Sequence, residues 1–123
     1  MSNSPQVLVV DDSRFERAFL RGMLEDQGWR VIGEATDGQE GVEKFTELAP
    51  DVVMMDITMP RMDGITALKE IRRLDSEAQV VIVTAMGSPE KFREALNAGA
   101  KDFIVKPFDR QKVLEVMSHL YRF

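Results

Sequence analysis

Short apolar runs alternate along the chain with longer stretches in which apolar residues recur every three or four positions. Val7 to Val10, Val52 to Met55, Val80 to Val83 and Phe103 to Val105 are nearly continuous apolar runs. Runs of this length suit strands buried on both faces, as in a parallel sheet. Val31 to Ala35 is more mixed and reads as an edge strand.

The intervening stretches read as helices. Ser13 precedes Phe15, Phe19 and Met23, which fall on one apolar stripe, and Glu16 follows Ser13 at capping-box spacing. Asp37 opens a second helix with Val42, Phe45 and Leu48 inward and Pro50 beyond its end. Asp63-Gly64 leads into Ile65, Leu68 and Ile71. Ser88-Pro89 pairs an N-cap with proline at the first helical position, and that helix carries Phe92, Ala95 and Leu96 before stopping at Gly99. Asp109 caps a last helix whose apolar face holds Val113, Val116, Met117 and Leu120. Strict strand–helix alternation predicts a parallel α/β sheet with helices on both faces.

Composition narrows the class. The 123 residues fit one domain, and 44% apolar with 30% charged residues suits a globular chain. There is no cysteine, so disulfides, thiolate metal sites and cysteine nucleophiles are excluded. No apolar run approaches the ~20 residues of a membrane span, and the polar start of the chain has no leader pattern, so a cytoplasmic location is expected. A net charge of −5 has the wrong sign for general nucleic-acid affinity, so no direct nucleic-acid binding is expected.

The candidate chemistry lies at strand ends. Asp11 and Asp12 follow the first strand, Asp56 the third, Thr84 the fourth and Lys106 the fifth. Parallel strands gather these residues at one sheet edge, where open α/β sheets bind ligands. Like charges ~4 Å apart repel by roughly 4 kcal/mol at an effective dielectric near 20. A cation, Lys106 or protonation must offset this. Carboxylates are hard oxygen ligands suited to Mg²⁺ or Ca²⁺, and a site with few protein ligands favours Mg²⁺. Thr84 and Lys106 are donors for a phosphoryl group, and an aspartate can attack phosphorus to form an acyl phosphate. Each aspartate taken alone also reads as a helix cap or turn residue.

These residues sit in stretches that resemble the response-regulator receiver domains of two-component signalling. The resemblance spans essentially the whole chain. It is carried by Val9-Val10-Asp11-Asp12-Ser13, by Met55-Asp56-Ile57-Thr58-Met59-Pro60 with Asp63-Gly64, by Val83-Thr84-Ala85, and by Gly99 to Phe108. It implies a three-layer (βα)5 doubly wound, flavodoxin-like sheet of strand order 2-1-3-4-5, as one receiver domain over 1–123. It also implies roles. Asp56 is the phosphoacceptor, with Thr84 and Lys106 binding the phosphoryl group. Asp12, Asp56 and the Thr58 carbonyl are Mg²⁺ ligands, with Asp11 acting through water. Thr84 and Phe103 form the switch, Phe103 turning inward as Thr84 shifts, and the Lys106-Pro107 bond is cis. Phe103 lacks the hydroxyl of the tyrosine found at this position in some relatives. Thr58 and Met86 occupy variable positions that tune phosphoryl lifetime in the family.

The implied function is a switch rather than an enzyme with turnover. It takes a phosphoryl group from a sensor histidine kinase and presents its fourth helix, fifth strand and fifth helix to an output partner. Stand-alone regulators of the chemotaxis type, which bind the flagellar motor switch, are the nearest resemblance; the unphosphorylated chain is then a monomer. A phosphorelay intermediate or the receiver of a longer regulator is the alternative. A Mg²⁺-dependent phosphatase with an aspartate nucleophile fits less well, because Asp11-Asp12 are adjacent rather than Asp-x-Asp and there is no room for a cap domain. A flavodoxin-like cofactor carrier needs a Gly-, Ser- or Thr-rich loop after the first strand, and this loop is acidic. P-loop and dinucleotide fingerprints are absent. His119 reads as a solvated or half-buried histidine, Trp29 as a packing residue, and Met55, Met59, Met62 and Met86 as flexible packing around the site loops.

Overall fold

The computed structural model describes residues 4–120. Five strands, β1 (Gln6–Val10), β2 (Arg30–Ala35), β3 (Val52–Met55), β4 (Val80–Thr84) and β5 (Asp102–Val105), alternate with five helices. The helices are α1 (Arg14–Asp26), α2 (Gly38–Leu48), α3 (Gly64–Leu74), α4 (Pro89–Asn97) and α5 (Arg110–Leu120). All pairings are parallel and the order is β2-β1-β3-β4-β5, the doubly wound arrangement expected. β2 is indeed an edge strand.

Side chains alternate across the sheet and divide the core in two. Val7, Val9, Met54, Val81, Val83 and Ile104 pack with α1 and α5. Leu8, Val10, Val53, Met55, Ile82 and Phe103 pack with residues of α2, α3 and α4. Both faces are covered, which explains why the central strands are apolar throughout.

Helix starts follow local chemistry. Asp37, Asp63 and Ser88 each accept the backbone N–H three residues on, as N-caps do. Asp109 does the same for Lys112 at 2.9 Å. α4 ends before Gly99, whose φ of 103° lies in the left-handed region that favours glycine.

The face of α1 differs from expectation. Leu20 and Leu24 are buried, whereas Phe15 is 74% exposed and Phe19 43% exposed. Arg17 and Arg21 both pair with Glu34 on β2. Residues 17, 20, 21 and 24 share one helical face, so these pairings turn Leu20 and Leu24 onto the sheet. Phe15 and Phe19 stack on each other, and Phe19 leans on Phe108. With Ala85, Pro107, Glu16 and Lys106 they line an open groove of about 430 Å³. Phe92 and Leu96 on α4 are likewise largely exposed, and only Ala95 of that helix is fully buried. Trp29 is buried, and His119 is exposed in the last turn of α5. Met55 is a core residue, Met59 and Met62 pack against that core, and Met86 is exposed.

Candidate functional site

The carboxyl ends of β1, β3, β4 and β5 converge. β1 delivers Asp11, whose N–H donates to the Ala35 carbonyl at 3.0 Å. β3 delivers Asp56, whose N–H donates to the Val10 carbonyl at 3.0 Å. Sheet-type hydrogen bonding thus runs one residue past the strands and ties both aspartates to the frame. The Lys106 N–H donates to the Thr84 carbonyl at 2.8 Å, which ties the fourth and fifth strand ends in the same way.

Asp11, Asp12 and Asp56 each offer a carboxylate oxygen, and these oxygens lie within 4.8 Å of one another. Asp11 is buried, Asp56 half-buried and Asp12 exposed. The donor set is all hard oxygen, open on the Asp12 side, and its spacing fits one small divalent cation. Lys106 Nζ donates to Asp11 Oδ2 at 2.9 Å and to Asp56 Oδ2 at 3.3 Å. Burial by itself would depress the Lys106 ammonium; the Asp11 hydrogen bond and the charges of Asp56, Asp11 and Glu16 outweigh it and raise the pKa above the ordinary lysine value. The other Asp56 oxygen, Oδ1, accepts the Ile57 N–H at 2.7 Å. Asp56 therefore lies with one oxygen on the lysine and both carboxylate neighbours close by.

Thr84 is fully buried, and its Oγ1 accepts the Met86 N–H at 3.2 Å. Thr58 is exposed two residues past Asp56, and its hydroxyl donates to Met86 Sδ at 2.9 Å. Thr58 and Met86 therefore touch. The Lys106–Pro107 peptide bond is cis. Phe103 is 7% exposed and meets the Phe92 ring edge-on, with centroids 5.5 Å apart.

The loop after β3 is pinned from below. Gly64 N–H donates to the Ile57 carbonyl at 2.8 Å, and a Cβ on Gly64 would lie 1.9 Å from the Asp56 carbonyl oxygen. Arg61 reaches across to the buried Asp37, its Nε 2.9 Å from Oδ2, and Gly38 N–H donates to the Met62 carbonyl at 3.0 Å. The N–H of Glu40 and the Arg61 guanidinium hold the Asp37 carboxyl below its ordinary range.

Three neighbours of the site escaped the sequence reading. Arg17 donates to the Asp11 carbonyl at 2.8 Å, Glu16 Oε1 lies 3.6 Å from Lys106 Nζ, and Arg61 clasps Asp37. Glu16 was expected to complete a capping box. Ser13 Oγ does accept the Glu16 N–H at 3.2 Å, but the Ser13 N–H donates to Asp11 Oδ1 at 2.9 Å instead of to Glu16. The Asp11 carboxylate, two residues away, occupies the donor first.

A doubly wound sheet with an aspartate triad, a lysine and a threonine at its carboxyl edge defines the class of phosphoryl-accepting α/β switches. The chain belongs to the response regulator receiver domain family, whose model matches residues 7–118. Chemotaxis protein CheY of Thermotoga maritima is 50% identical over 113 residues, covering 92% of this chain and 94% of that protein. CheY of Bacillus subtilis is 49% identical over 113 residues, covering the same 92% and 94%. Among solved structures, the CheX–CheY–BeF3–Mg²⁺ complex of Borrelia burgdorferi contains a chain with TM-score 0.92 and 42% identity, covering 94% of this chain and 88% of that one. The chain is therefore a CheY-like signalling switch and not a metabolic enzyme. No helix among the described residues is long and apolar enough to cross a membrane.

Proposed function

We propose that Asp56 accepts a phosphoryl group in a Mg²⁺-dependent reaction and that the modified protein signals to an output partner. The observation that carries this is the placement of Asp56 Oδ2, 3.3 Å from the Lys106 ammonium and within the cluster of Asp11 and Asp12 carboxylates. An oxygen of Asp56 attacks phosphorus, the donor's bond to phosphorus breaks, and the leaving group, such as a kinase imidazole or acetate, takes the electron pair. Bound Mg²⁺ would neutralise charge between the carboxylates and the incoming oxygens. Asp12, Asp56 and the Thr58 carbonyl would hold it, with Asp11 acting through water. Lys106 then exchanges an Asp56 oxygen for a phosphoryl oxygen, and the Thr84 hydroxyl, now hydrogen-bonded to Met86, turns to a second one.

Phosphorylation adds about −1.5 to −2 charge. The resulting shift of Thr84 reaches the rings of Phe103 and Phe92, and so the surface of α4, β5 and α5. Exposed Phe92, Leu96, Val105 and Leu114 on those elements supply apolar area for a partner. The similarity to CheY supports a cytoplasmic sensor histidine kinase as donor and a chemotaxis output protein, such as the flagellar motor switch, as target. In this reading 1–123 is a single receiver domain.

The test is mass spectrometry after incubation with acetyl phosphate and Mg²⁺. One phosphoryl group is expected on wild type and none on Asp56→Asn. Equal labelling of the variant would move the acceptor elsewhere, and catalytic release of phosphate from added esters would favour a phosphatase.

A further inference from the structure

We infer that Glu16 is a positioning residue for phosphoryl transfer, holding Lys106 away from the incoming phosphoryl group and slowing the reaction. The inference rests on the reading of Asp56 as phosphoacceptor.

Three carboxylates face one ammonium. Lys106 Nζ lies 2.9 Å from Asp11, 3.3 Å from Asp56 and 3.6 Å from Glu16. Its side chain is largely buried, so solvent does little to loosen this grouping. An ammonium has three donors. Two of them donate to Asp11 and Asp56, and Glu16 stands at ion-pair distance, so an incoming phosphoryl oxygen competes with three carboxylates for the ammonium. Asp11 and Asp56 belong to the acidic cluster itself. Glu16 does not: it comes from the first turn of α1 and draws the ammonium toward that helix.

The side chain of Glu16 is free for this task. A glutamate three residues after an N-cap serine ordinarily folds back onto the serine N–H. Here that N–H belongs to Asp11, so the capping role is closed to Glu16. Its carboxylate lies instead beside Lys106, where both line the groove walled by Phe15 and Phe19. Two effects then act in one direction. Glu16 competes for the lysine, and its charge repels an anionic donor. The first depends on reach and the second only on charge, which makes them separable. Aspartate keeps the charge but is one methylene shorter, so it cannot span the present distance.

The experiment compares wild type, Glu16→Gln and Glu16→Asp. Phosphoramidate with saturating Mg²⁺ is the donor, and the rate of Asp56 labelling is followed by mass spectrometry at low and high salt. Both variants are expected to label faster than wild type, by roughly two- to five-fold, the span an incompletely buried ion pair is worth. The gain should persist at high salt, because a partly buried pair is screened much less than an exposed one. Unchanged rates in Glu16→Gln would overturn the inference. So would wild-type rates in Glu16→Asp, or a gain that vanishes with salt, since either would reduce Glu16 to a distant charge. Matching urea midpoints exclude a general loosening of the fold. No label on wild type, or a label that survives Asp56→Asn, would instead sink the phosphoacceptor reading itself.

Discussion

Lys106 stands nearer to Asp11 than to Asp56, 2.9 Å against 3.3 Å. Asp11 is also the more deeply buried of the two carboxylates. In addition, it accepts the Ser13 N–H and carries the backbone carbonyl that Arg17 grips. Asp11 is therefore a hub that orients the lysine, the start of α1 and the acidic cluster together.

Replacing Asp11 by Asn keeps the Ser13 contact but removes the charge that holds Lys106. Mg²⁺ affinity is expected to fall by about 10- to 100-fold, as for loss of a partner that orients a metal site. Isothermal titration calorimetry of the two proteins checks this. Unchanged affinity would remove Asp11 from the metal site.

The proposed Mg²⁺ site exists in the folded chain and not in the unfolded one, so Mg²⁺ should raise stability by mass action. At ten times the dissociation constant the gain is about 1.4 kcal/mol. Scanning calorimetry should show the melting temperature rising with Mg²⁺ in wild type and staying level in Asp12→Asn. A level curve in wild type would contradict the site.

Asp37 supplies a pH signature away from the site. Its folded pKa is depressed by the Glu40 N–H and by Arg61. A depressed carboxyl contributes stability that is present above its unfolded value and lost as pH falls through the folded one. The window therefore opens below the ordinary Asp value of 3.8. Asn caps a helix about as well as Asp, so Asp37→Asn removes the charge and spares the cap. Wild type should be more stable than Asp37→Asn at neutral pH, and the two urea midpoints should converge on acidification below that value. Parallel curves would show that the charge contributes nothing.

Two glycines should answer alanine substitution in opposite ways. Gly22 lies inside α1, with nothing within 4 Å of an added Cβ. Gly22→Ala should stabilise the protein by roughly 0.5–1 kcal/mol, the helix-interior difference between the two residues. At Gly64 the added Cβ meets the Asp56 backbone, which cannot yield as a flexible side chain would. Gly64→Ala should destabilise the fold and slow phosphorylation together, because the obstruction is the carbonyl of Asp56 itself. Urea unfolding and acetyl phosphate labelling of both variants measure the contrast.

The strands, the helix caps and the gathering of Asp11, Asp12, Asp56, Thr84 and Lys106 were legible in the sequence. Each rests on a local rule. Continuous apolar runs mark strands covered on both faces, caps act within three residues, and parallel strands send all their carboxyl ends to one edge. The order of the strands came from resemblance, because alternation alone permits several doubly wound arrangements.

The face of α1 was not legible. Phe15, Phe19 and Met23 and the neighbouring row of Leu20 and Leu24 are both apolar at helical spacing. Periodicity cannot rank two adjacent stripes. The pairing of Arg17 and Arg21 with Glu34, from a different strand, decides between them and leaves two phenylalanines in the open. The partners of Glu16 were hidden for the same reason. Ser13 and Glu16 carry a local capping signal, but Asp11 competes for the serine N–H, and Lys106, 90 residues along the chain, offers a counter-charge. What the sequence determined by itself were the elements, their polarity and the chemical identities at the sheet edge, since these depend on neighbours along the chain. Which face of a helix is buried, which acid meets Lys106 and which arginine steadies a loop were decided only by tertiary structure. Those choices are competitions between groups far apart in sequence, and only the packed fold sets the distances that settle them.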